Sequence, residues 1–286
     1  NKLRNDYPDF KKDSHIEIDL AECYKYLLEW EKANEIFSKY TTKTLEDLHW
    51  AVGGGIALTL GEFYAITNNQ KKKNEIVNFV ANLADKANTV FTSFRAGSAY
   101  ASMGDHEEAI KWYDDSITHI KTEQEKQMRG FIDMHKASSL GKLNQYDLSL
   151  ELLDKGEGYV NKLAKEETGL VFFENLLLKI KCCRAEIYIS KGDLENAYVT
   201  ISEIRNIKLR TSGDDVLLAL SSLYSLLGNI DESYKYLNDF KNQFGISRII
   251  REESELFYSN DSINMRSDLR YIDFLKECKL YDYWKD

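Results

Sequence analysis

Between Ser93 and Tyr113 the chain reads S-F-R-A-G-S-A-Y-A-S-M-G-D-H-E-E-A-I-K-W-Y, and the same spacing of small and aromatic residues returns five more times. The marks are a small residue with Tyr three later (Gly97, Tyr100), a Gly-Asp turn (Gly104, Asp105), then Ala109 with an aromatic four on (Tyr113). A small residue lets a second helix approach closely, and a bulky one a turn away fills the space that remains. Each return therefore implies two helices joined by a tight turn. A chain of such units buries its apolar faces only by stacking one unit on the next.

The first copy carries Ala21, Tyr24, Ala33 and Phe37, and the second carries Leu60, Gly61 and Tyr64 with an Asn68-Asn69 turn. The second helix of that copy is degenerate: Lys73 stands where Ala belongs, and the helix rests on Val77, Val80 and Leu83. The fourth has Ala137, Leu140, Asn144-Gln145-Tyr146, Ser149 and Leu153. The fifth has Ala185, Tyr188, Gly192-Asp193, Ala197 and Ile201, and the sixth has Ser221, Tyr224, Gly228-Asn229, Ser233 and Leu237. The turns at 28, 68, 104, 144, 192 and 228 are 40, 36, 40, 48 and 36 residues apart.

This series resembles the tetratricopeptide (TPR) repeat, whose period is about 34 residues. The excess length is assigned to connections at 121–126, 161–168 and 207–213. The resemblance implies an all-α, right-handed superhelical TPR solenoid of about six helix-turn-helix repeats over 1–244. Residues 245–286 are then a capping segment.

Composition agrees with helices throughout. Pro8 is the one proline in 286 residues, so little interrupts a helix after the start of the chain. No run approaches the roughly 18 apolar residues of a membrane span, and a cytoplasmic protein is expected. The chain opens N-K-L-R-N-D-Y-P with neither an initiator Met nor a signal-peptide core, which reads as a piece of something longer. Cys23, Cys182, Cys183 and Cys278 lack metal-ligand spacing, and buried free thiols are expected.

A net charge of -9 with acidic residues spread along the chain argues against direct nucleic-acid contact, which needs clustered Lys and Arg. The one basic run, Lys71-Lys72-Lys73, reads as a solvated helix start. Catalytic patterns are missing: His15, His49, His106, His119 and His135 lie far apart, with no H-E-x-x-H. Gly53-Gly54-Gly55 lacks the Lys-Ser or Lys-Thr of a phosphate loop, so its glycines are expected to permit close helix contact. Acidic pairs such as Glu107-Glu108 and Glu166-Glu167 suit helix starts, where carboxylates favour the dipole. No enzyme activity, cofactor or metal is expected.

The TPR resemblance implies a concave wall built from the first helix of each repeat. Its positions here are Asp19, Glu22 and Tyr26; Thr59 and Glu62; Phe94, Arg95, Ser98 and Ser102; Met134, His135, Ser138 and Lys142; Cys182, Cys183, Glu186 and Ser190; and Leu218, Ser222 and Ser225. A partner-binding groove is expected at Glu62, Phe94, Arg95, Ser98, Met134, His135, Ser138 and Glu186. Phe94, Arg95 and Met134 are its anchors. Its occupant is expected to be a protein or peptide, and a homodimer stays open. Capture of a terminal carboxylate by co-chaperone TPRs uses Asn and Lys; the Asn positions here read Glu22, Glu62, Ser98, Ser138, Glu186 and Ser222, and Arg95 alone matches the basic part.

Met265 to Trp284 is similar to the closing segment of bacterial TPR proteins that follow a winged-helix or cyclase domain, with Leu269 for the usual Pro and Cys278-Lys279 where Gly is common. Tyr271, Phe274, Leu275, Leu280 and Trp284 are expected to cover the apolar face of the sixth repeat. The resemblance implies a non-catalytic sensor or interaction region of a bacterial transcriptional regulator. A freestanding TPR scaffold or assembly protein is the alternative.

Overall fold

The computed structural model describes residues 14–46, 50–126, 128–166, 170–207, 214–252, 257 and 262–284, and the regular structure among them is entirely helical. Six helix pairs follow one another. They are α1 (Ser14–Tyr26) with α2 (Trp30–Phe37), α4 (Trp50–Ile66) with α5 (Gln70–Ala87), and α6 (Val90–Met103) with α7 (His106–Thr118). After these come α9 (Met128–Lys142) with α10 (Tyr146–Glu166), α11 (Leu170–Lys191) with α12 (Leu194–Arg205), and α13 (Asp214–Leu226) with α14 (Ile230–Phe244). Short α3 (Thr42–Glu46) and α8 (Glu123–Lys126) lie between pairs.

All six turns are built alike. The left-handed residue is Leu28, Asn68, Gly104, Asn144, Gly192 or Gly228, with φ between 58° (Asn68) and 85° (Gly104). The amide of the next residue donates to the carbonyl five back: Glu29 to Tyr24, Asn69 to Tyr64, Asp105 to Tyr100, Gln145 to Leu140, Asp193 to Tyr188 and Asn229 to Tyr224, all within 2.7–3.1 Å. This bond closes the first helix of the pair. Four of the same residues then open the second helix, because the side chains of Asn69, Asp105, Asp193 and Asn229 each accept from an amide three residues on. One residue thus ends one helix and begins the next.

Each pair closes over its small residues. Ala33, Ala109, Ser149, Ala197 and Ser233 have no exposed surface. A Cβ on Gly97 would lie 2.6 Å from Tyr113 Cε1, so this pair packs as closely as it does because Gly97 has none. The buried serines are satisfied locally: Ser149 Oγ donates to the Ala137 carbonyl at 2.5 Å, and Ser221 and Ser233 each donate to the other's carbonyl. Lys73 is buried in place of the expected small residue, and its Nζ donates to the Ser102 carbonyl at 2.7 Å, at the end of α6.

The connections differ in part from expectation. Residues 161–166 continue α10 rather than forming a loop, 121–126 contain α8, and 208–213 and 167–168 lie outside the described residues. Cys23 is exposed, whereas Cys183 and Cys278 are buried as expected.

After Phe244 come α15 (Ile246–Glu252), α16 (Ile263–Arg266), α17 (Arg270–Glu277) and α18 (Leu280–Tyr283). This segment covers the sixth pair. Met265 N donates to Ser225 Oγ at 3.3 Å, Tyr234 Oη donates to the Met265 carbonyl at 3.2 Å, and the Arg270 guanidinium lies 4.5 Å from the Tyr234 ring centre. It also does what the sequence reading did not foresee, reaching the first two pairs. Trp284 Nε1 donates to the Ile66 carbonyl at 3.1 Å, and the Trp30 and Tyr283 ring centres are 6.5 Å apart. One apolar cluster accordingly joins Ile18, Trp30 and Phe63 to Phe240, Phe274 and Leu280. No helix among the described residues is long and apolar enough to cross a membrane.

Candidate functional site

The expected groove residues fall into separate groups. At one end, Glu62 on α4 accepts from Lys25 Nζ at 3.2 Å. The Lys25 side chain is 1% exposed, 3.9 Å from Glu22 and 4.9 Å from the Tyr26 ring centre. The cation is therefore hidden while both carboxylates reach solvent. Burial raises the pKa of Glu22; Lys25 opposes the rise, and Glu62 and Asp19 add to it by repulsion.

Glu62 and Ser98 line a cavity of about 150 Å³ between α4, α5 and α6, with Ala57, Gly61, Val77 and Ala99 forming much of its apolar wall. The Ser98 hydroxyl turns back to the Phe94 carbonyl at 3.1 Å. About a turn earlier on α6, Arg95 is half-buried against α4, where a Cβ on Gly54 would come within 3.3 Å of its Nη1. Gly54 thus leaves room for the guanidinium, and Gly53-Gly54-Gly55 lies inside a helix. No carboxylate or carbonyl among the described residues pairs with Arg95, and burial alone draws its pKa below the ordinary arginine value.

Phe94 and His135 meet edge-on at 5.2 Å between ring centres, and Phe131 completes the cluster at 5.3 Å from Phe94 and 4.7 Å from His135. Burial among these rings lowers the His135 pKa to about 4, with a smaller contribution from Lys179. His135 is neutral near pH 7 and serves the packing between the third and fourth pairs. Met134, expected on the wall, is instead buried in the core with Ala137, Leu153 and Ile180. The helix turns its thioether inward because the stripe through Gly130, Met134 and Ala137 faces the next helices.

Ser138 and Glu186 meet at Cys183. The thiol pKa is raised well above its usual value by burial and by Glu186, while a hydrogen bond with Ser138 acts the other way. In the sixth pair the wall positions Leu218 and Ser225 are buried, and Asn264 Nδ2 donates to the Ser225 carbonyl at 2.9 Å. The chain's own closing segment occupies that end of the wall.

Lys25 is not among the residues the repeat pattern marks, although Glu22 three residues before and Tyr26 beside it are a local sign of a paired cation. Nor does the pattern mark a cavity of about 270 Å³ between the second pair and the closing segment, lined by Asn68, Gln70, Tyr271 and Trp284 among others. No local signal marks that cavity, since its two sides lie far apart along the chain.

Residues 92–118 match the family model of the tetratricopeptide repeat, which is α6 and α7 less the first two residues of α6. No curated protein matches the chain. The turn of the matched pair recurs in the other five and its buried small residue in all of them but the second, where Lys73 stands, and the described residues form an all-α solenoid of tetratricopeptide-repeat type.

Proposed function

We propose that this chain is a non-catalytic module that binds a protein or peptide on the wall formed by its second, third and fourth helix pairs, and that it serves as the interaction or sensor region of a larger bacterial regulator. The repeat fold supports an interaction module in general. The observation that carries the finer reading is Arg95. A guanidinium offers five donors, and a half-buried one with no carboxylate or carbonyl partner among the described residues keeps them available to an acceptor on a ligand. Its planar fork suits a carboxylate or a backbone carbonyl. The regulator context rests on the similarity of Met265 to Trp284 to the closing segments of such proteins.

Arg95→Ala tests the reading in a pull-down from cells of the source organism, scored by mass spectrometry. Partner capture falls about tenfold if the contact contributes about 1.4 kcal/mol, while helical content by circular dichroism is unchanged. Equal capture of every partner by the variant refutes the assignment of the wall.

A further inference from the structure

Among the described residues, Glu62 is the one carboxylate lining the cavity between α4, α5 and α6, and through Lys25, which contacts both, it lies close to Glu22. We infer that this cavity receives an aliphatic side chain of a peptide segment whose neighbouring residue is Lys or Arg, the cation lying against Glu62 and Glu22. This rests on the peptide-binding reading above and narrows it to one kind of occupant.

Three observations define the occupant. The cavity, about 150 Å³, has a predominantly aliphatic and small-residue lining from Ala57, Gly61, Val77 and Ala99, which suits Leu, Ile or Val, and the cation in its lining, Lys73, is buried with its Nζ on the Ser102 carbonyl. Charge around Glu62, on the side facing α1, is lopsided. Lys25 is 1% exposed whereas Glu22 and Glu62 are 29% and 30% exposed, and Asp19 stands a turn before Glu22 and is exposed. Viewed from solvent, the rim is acidic. These carboxylates also repel one another, since Glu62 and Asp19 both push the Glu22 pKa upward. A ligand cation relieves that repulsion, and a ligand carboxylate worsens it. The cavity and rim share Glu62, so anchor and cation must lie within about two residues of each other in an extended segment.

The test is a selection of random heptapeptides on the full chain, with affinities of the enriched peptides measured on the wild type and on two variants. Ser98→Leu places a side chain into the cavity from a half-buried position, and Glu62→Gln removes one rim charge while keeping the shape. Enriched peptides are expected to carry Leu, Ile or Val within about two residues of Lys or Arg. Ser98→Leu is expected to weaken them about tenfold and Glu62→Gln up to about fivefold, the second effect shrinking at high salt. Circular dichroism checks that both variants are folded, and Glu62→Gln alone suffices if Ser98→Leu is not. Enrichment of acidic or aromatic peptides, or of peptides indifferent to Glu62→Gln, overturns this inference and leaves peptide binding intact. Failure to enrich any peptide overturns both. Self-association that Ser98→Leu abolishes, without peptide enrichment, assigns the cleft to a second copy and overturns the inference too.

Discussion

Trp30 Nε1 donates to the carbonyl of Cys278 at 2.8 Å, across 248 residues of sequence. Trp30 is 1% exposed, so this bond has no water to replace it and holds the closing segment against the first pair. Trp30→Phe is expected to cost about 1 kcal/mol or more, since the carbonyl of Cys278 loses its buried donor. Trp284→Ala combined with Phe274→Ala is expected to cost several kcal/mol, as removal of one buried aromatic costs about 3 to 5 kcal/mol. Urea unfolding followed by circular dichroism measures both; unchanged stability of the double variant means the segment is not docked in solution.

The third pair offers a sharper steric test. A methyl group at position 97 would meet Tyr113 Cε1 at 2.6 Å and the Ala109 carbonyl at 3.1 Å, and neither backbone nor buried ring can retreat cheaply. Gly97→Ala is expected to destabilise by about 1 to 3 kcal/mol, despite the better helix propensity of Ala. A variant as stable as wild type would show that the two helices slide apart at no cost.

His135 ties stability to pH. Its pKa is lowered from 6.5 to about 4 in the folded chain, so the unfolded chain binds its proton more readily. The resulting stability is fully present above pH 6.5 and is lost as pH falls through 4. His135→Phe is expected to flatten this part of the profile, read as unfolding free energy against pH. An imidazole titrating near 6.5 by NMR in the folded protein would remove the basis for it.

Glu22 works in the opposite direction. Its pKa is raised above 4.5, so the folded chain favours the protonated form, a contribution present in acid and lost as pH rises. Glu22→Gln is accordingly expected to be more stable than wild type at pH 7, with the difference vanishing below about pH 4. Thermal melts at the two pH values decide it, and a less stable variant at pH 7 would mean that the contact with Lys25 outweighs burial and repulsion.

Much of this fold is legible in the sequence because its signals are local. The turns read at 28, 68, 104, 144, 192 and 228 each hold the left-handed residue, and the small residues chosen in each second helix are buried, with Lys73 the exception. Gly, Asn and Asp declare such turns through their own backbone and side-chain chemistry. Residues 161–166 were misread as a loop because nothing in their composition distinguishes a helix that overruns its repeat from a polar connection. On the wall, rotation by a single position moves a side chain from groove to core, as at Met134, and the repeat pattern does not resolve that difference. The approach of Trp30 to Cys278 was invisible for another reason: neither residue carries any mark of a partner so distant.

That approach changes how the repeats depend on one another. In a linear stack every unit leans on its neighbours, and unfolding can start at whichever outer unit has lost one of them. Among the described residues the sixth unit is tied through the closing segment to the first and second, so the six pairs close into a ring. Releasing any one of these pairs means breaking an interface on both of its sides. The closing contact, spanning 248 residues, carries the greatest loop entropy and so forms after the local pairs have docked. It is the latch that turns five neighbour-to-neighbour contacts into one cooperative whole.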